Sequence, residues 1–100
     1  MRILADVISK MHDTMDEVEW YATKAIHLKP THKSLADTYI KIADDHVEIY
    51  EMLHEQVVDL IEQERKKGAT PPPEMVAIWN YEHERLAKEF AECKAMIASY

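Results

Sequence analysis

Apolar residues recur along the first third of the chain in steps of four and three: Leu4, Ile8, Met11, Met15, Val18, Ala22 and Ala25. That spacing keeps one side of an α-helix apolar and predicts a helix over about residues 2–28. Pro30 ends it, because the residue before a proline is driven out of the α region. A second helix is predicted over about residues 33–67, with two apolar seams side by side. One runs Leu35, Tyr39, Ile42, His46, Ile49, Leu53, Leu60; the other runs Ala36, Ile40, Ala43, Val47, Tyr50, His54, Val57, Ile61. Thr31 and Ser34 are its candidate N-caps, each offering a hydroxyl to an orphan amide. Arg65-Lys66-Lys67 followed by Gly68 reads as its C-terminus, with cations on the carbonyl end of the dipole and glycine in a left-handed conformation. Thr70-Pro71-Pro72-Pro73 is a stiff linker. A third helix, over about residues 74–99, carries Met75, Trp79, Leu86, Phe90, Cys93 and Ile97, flanked by Val76, His83 and Ala87.

A helix with two apolar seams faces two neighbours. The expected fold is therefore all-α: one domain over residues 1–100, an antiparallel three-helix up-down-up bundle with a long middle helix. A helix of about 35 residues spans about 52 Å, whereas a compact domain of this size is roughly 33 Å across. So thin a bundle is expected to pair with a second copy, with Trp20, Tyr21, Tyr50 and Trp79 as aromatic candidates for the homodimer interface.

Composition narrows the partners. Twelve Lys+Arg against nineteen Asp+Glu leave a net charge of −7, which disfavours nucleic acid and anionic membranes. Asp6 interrupts any signal-peptide apolar core, no stretch has the length of a membrane span, and a lone Cys93 suits a reducing compartment, so the expected location is cytoplasmic.

The chemistry on offer is histidine and carboxylate, since phosphate-binding glycine loops, nucleophile elbows and paired-cysteine zinc spacings are missing. Of six histidines, His27 and His32 flank the first turn and are expected in solvent. His46 and His54 replace apolar residues on the two seams of the middle helix. Antiparallel pairing sets His46 level with Asp16 and Glu19, with His12 one turn further, and His54 opposite His83. Asp45 also lies close to a seam. Imidazoles and carboxylates projected inward from facing helices are how bundles hold iron, manganese or zinc. They equally satisfy one another, or tyrosine hydroxyls, without metal. The candidate ligands are Glu19, His46, Asp16, Asp45, His54 and His83. Cys93, on an apolar seam, reads as a small core residue.

Glu19-Trp20-Tyr21-Ala22, followed by Leu35-Ala36-x-x-Tyr39-x-x-Ile42-Ala43-Asp44-Asp45, resembles the ferritin-like superfamily over about residues 10–60. The similarity is best to short members with one helical hairpin, such as encapsulated ferritins, which dimerise to complete a four-helix site. The whole chain, with Leu53-His54-Glu55-Gln56-Val57-Val58, Pro72-Pro73-x-Met75 and Tyr81-x-His83-Glu84, is also similar to small ferritin-like proteins of bacteria and their phages. The resemblance implies a di-iron centre for ferroxidase or oxygen chemistry, with Glu19 as the first-helix carboxylate. The family's Glu-x-x-His would fall at positions 46 and 49, where this chain has His46 and Ile49; Glu51-x-x-His54 follows about two turns later. The leading expectation is a dimeric ferritin-like protein that binds a transition metal. The competing expectations are a non-catalytic structural or adaptor bundle, of phage origin in one version, and a coiled-coil regulator whose acidic surface meets a basic partner.

Overall fold

Four alanines decide how closely the first two helices approach. Ala22 and Ala25 on one, and Ala36 and Ala43 on the other, are fully shielded from solvent. Side chains this small let two backbones pack tightly near a turn. The computed structural model describes the chain except Met1, Ala69, Pro72 and the side chain of Met75. It contains three helices, α1 (Arg2–Leu28), α2 (Lys33–Lys66) and α3 (Pro73–Ser99), and no strand among the described residues. The expected boundaries hold to within a residue. The expected places of Met75 in the third seam and Pro72 in the linker fall outside the described residues.

Every position of the expected α1 seam is buried or half-buried, with Leu4, Met15 and Val18 the largest fully enclosed side chains. In α2 the two seams divide unequally. Ala36, Ala43, Val47 and Tyr50 of the second seam are buried, while Leu35 and Ile49 of the first stand 42% and 39% exposed. From α3, Leu86 and Cys93 enter the same core, with Phe90, Met96 and Ile97 packed on its edge. Tyr50 stacks on Phe90 at 4.7 Å between ring centres. It thus serves the core of a single chain rather than an interface between chains, as the sequence reading had it.

The register of α3 follows from named pairs. Along α1, His12 meets Glu82, and Lys29 reaches the Tyr100 main-chain oxygen. Along α2, Asp37 meets the Tyr100 hydroxyl, Tyr50 meets Phe90, and His54 meets His83. Asp37 accepts that hydroxyl and a bond from Lys33, and the two hold its carboxyl below the usual range. The domain measures 56 × 19 × 18 Å with a radius of gyration of 16.3 Å, against about 13 Å for a compact chain of this length.

The turns differ in how well their chemistry was anticipated. Residue His32, not Thr31 or Ser34, is the N-cap of α2, and it makes no side-chain cap. The Thr31 hydroxyl instead meets His32 Nδ1 at 2.9 Å, and the His32 amide closes onto Leu28 O at 2.7 Å. At the other end Gly68 adopts φ = +76° and donates to Arg65 O at 3.0 Å, as the glycine after a basic last turn predicts. A Cβ there meets nothing within 4 Å, so Gly68→Ala is charged only for its backbone, about 1 kcal/mol. A thermal midpoint lower by about 4–8 °C is the expected result.

Candidate functional site

Four histidines are tied to other elements, in three different ways. His46, half-buried on α2, lies 5.8 Å from the Tyr21 ring, in a cluster where Tyr21 also packs edge-on against Trp20 and Tyr39 at 5.0 and 5.4 Å. Its Nδ1 is 2.9 Å from Ile42 O. A carbonyl only accepts, so Nδ1 carries a proton.

His12 does not join that group. It points to α3, where its Nε2 bonds Glu82 at 2.7 Å, while Arg85 donates to its Nδ1 at 3.1 Å. An arginine only donates and a carboxylate only accepts, so Nδ1 takes the Arg85 bond and Nε2 donates to Glu82. His12, expected one turn beyond Asp16 and Glu19 beside His46, is instead taken by Glu82 and Arg85 of α3. The available signal was the α3 seam itself: Glu82 precedes Leu86 by four residues, so it stands one helical turn up the same face.

His54 of α2 and His83 of α3 do face each other, with ring centres 6.0 Å apart and planes tilted by 31°. They share a shallow depression with Glu51 and Glu55 on one side. They also border a cavity of about 410 Å³ between the three helices, walled by Ile8, Val57, Ile61 and Trp79. The expected pairing of positions 54 and 83 is present.

Asp16, Glu19 and Asp45 lie exposed. The charge of Glu19 acts on Cys93 of α3, where burial first, then Glu19, Glu89 and Glu92, push the thiol up to about 11. A thiol held neutral in this way packs as a small apolar group. His27 and His32 are in solvent, as expected. No set of three or more His, Cys, Asp or Glu is gathered around one point among the described residues. The carboxylates of a di-iron centre are therefore not brought together around His46. A single ion held by two imidazoles fits better: with metal–nitrogen bonds of about 2.0–2.1 Å, two rings on one ion have centres roughly 5–6.5 Å apart. No helix among the described residues is long and apolar enough to cross a membrane. No family model, curated protein or solved structure matches the chain.

Proposed function

We propose that the protein is a ferritin-like up-down-up helical bundle that works as a homodimer and binds one transition-metal ion at His54 and His83. The facing of these two imidazoles across α2 and α3 carries the reading. Glu51 and Glu55 line the same depression and offer carboxylates toward the ion. Glu51 and His54 also make up the Glu-x-x-His spacing, five residues beyond its place in the family. Zinc, manganese and ferrous iron all accept such a mixed imidazole–carboxylate set.

Thermal melts at pH 7.5 with and without Zn²⁺, Mn²⁺ or Fe²⁺ test the proposal. Metal bound only by the folded state adds about 2.7 kcal/mol at a hundredfold excess over Kd. Binding needs deprotonated ligands and releases protons, so the gain should fade in acid. His54→Leu and His83→Leu are expected to abolish the metal-dependent shift, and His46→Leu to keep it. Wild-type melts indifferent to all three metals would retire the proposal.

A second reading, a structural or adaptor bundle without metal, is favoured by one surface. Trp20, Leu35, Ile49 and Met52 stand 48%, 42%, 39% and 59% exposed, and Leu35, Ile42 and Ile49 follow one another at heptad spacing. Apolar strips of this kind on the outside of a bundle mark a protein contact. On either reading a second copy covering this strip makes sedimentation equilibrium report a dimer at micromolar concentration. Met52→Glu is expected to return it to the monomer.

A further inference from the structure

We infer that the cavity between the three helices is a binding site for a fatty carboxylate, an unbranched hydrocarbon chain with an anionic head. Its shape is the first argument. The cavity runs along α2 from His54 to Arg65, about 16 Å at 1.5 Å per residue. With a volume of about 410 Å³ spread over that length, it is an elongated slot rather than a round pocket. The walls suit such a chain, because Ile8, Val57, Ile61 and Trp79 line the middle.

Charge is the second argument. The chain carries −7 overall, yet three of its twelve cations, Arg65, Lys66 and Lys67, are consecutive. They fall at the linker end of the slot, where Arg65 and Thr70 contribute to the lining. The side chain of Arg65 is 74% exposed and meets Glu62 at 3.6 Å. An exposed pair three residues apart on one helix holds its partners weakly, so Arg65 is free to take a carboxylate in a two-pronged bond. Glu64, also at this end, is engaged by Lys67 at 3.4 Å. The occupant is thus oriented, its head at Arg65 and Thr70 and its tail toward the imidazole pair. Roughly a dozen carbons fill the length. The site does not depend on metal at His54 and His83.

The test uses the Trp20→Phe protein, in which Trp79 is the remaining tryptophan and reports from the cavity wall. Its emission is titrated with monomeric octanoate, decanoate, dodecanoate and hexadecanoate, and with dodecanol and dodecyltrimethylammonium. A saturable one-to-one change is expected, tightening about fourfold per added methylene until the slot is full and flat beyond. Dodecanoate should bind at least about tenfold more tightly than the cationic amphiphile, and Arg65→Glu should erase that preference. Ile61→Phe should block all the chains. If it unfolds the protein, as circular dichroism would show, Arg65→Glu at its exposed position still decides the matter. The inference is overturned by an unresponsive Trp79, by binding of several amphiphiles per chain without charge preference, or by a dimer that forms over the slot and excludes every chain. Because dodecanoate is titrated into metal-free protein, failure here and failure of the metal proposal are separate results.

Discussion

Met15→Ala is expected to cost about 2–5 kcal/mol of unfolding free energy, the range for emptying a fully packed position of this size. Met15 is 1% exposed and sits with Met11, Val18, Val47 and Tyr50 in the buried core cluster. A rod 19 Å across has no second layer behind that core to relax into the space. For a chain of this length each kcal/mol moves the midpoint by about 4–8 °C, so the fall should be at least about 8 °C by circular dichroism. A fall of less than about 3 °C would mean that Met15 is not enclosed as described. Met15→Leu, which keeps the volume, should cost less than about 1.5 kcal/mol.

Tyr50→Ala should cost about as much as a phenylalanine deletion, 3–5 kcal/mol, through a different route. Tyr50 is the side chain on which α3 leans: it is buried from α2 and stacked at 21° on Phe90. Truncation removes both the packing and the stacking, and leaves a hole continuous with the 410 Å³ cavity that Tyr50 already borders. Tyr50→Phe keeps the ring and should change stability by no more than about 0.5 kcal/mol. Comparing the two in urea separates ring from hydroxyl. An alanine variant as stable as the phenylalanine variant would show that α3 is held elsewhere.

What could be read in advance follows from which forces are local. The α1 seam was legible because a 3.6-residue period and a single partner leave one choice of buried face. Gly68 was legible because only glycine closes a helix at positive φ without strain. The division of labour in α2 was not. By hydropathy the seam with Leu35, Ile42 and Ile49 has the stronger claim to the core, yet the alanine seam won, since a close approach of helices selects small side chains over apolar ones. That outcome depends on the distance between helices, which no single segment encodes. His12 was misread for a related reason: its partners are 70 and 73 residues away, and the rotation of α3 about its axis decides whether they arrive. His54 and His83 were found because counting back from a turn needs only the helical rise.

The graded seam of the α1–α2 hairpin also bears on time. Near its turn the contacts join residues close in sequence, such as Trp20 and Tyr39, and the shielded residues are alanines. Toward the far end the side chains grow to Met11, Met15 and Tyr50, and α3 must arrive across a linker before they are covered. Loop closure is cheapest where the loop is shortest, so the hairpin should close from its turn, with α3 docking last. In native-state hydrogen exchange the amides of α1 around Val18 should then open only with global unfolding, whereas those of α3 around Trp79, beside the cavity, should exchange through a smaller opening.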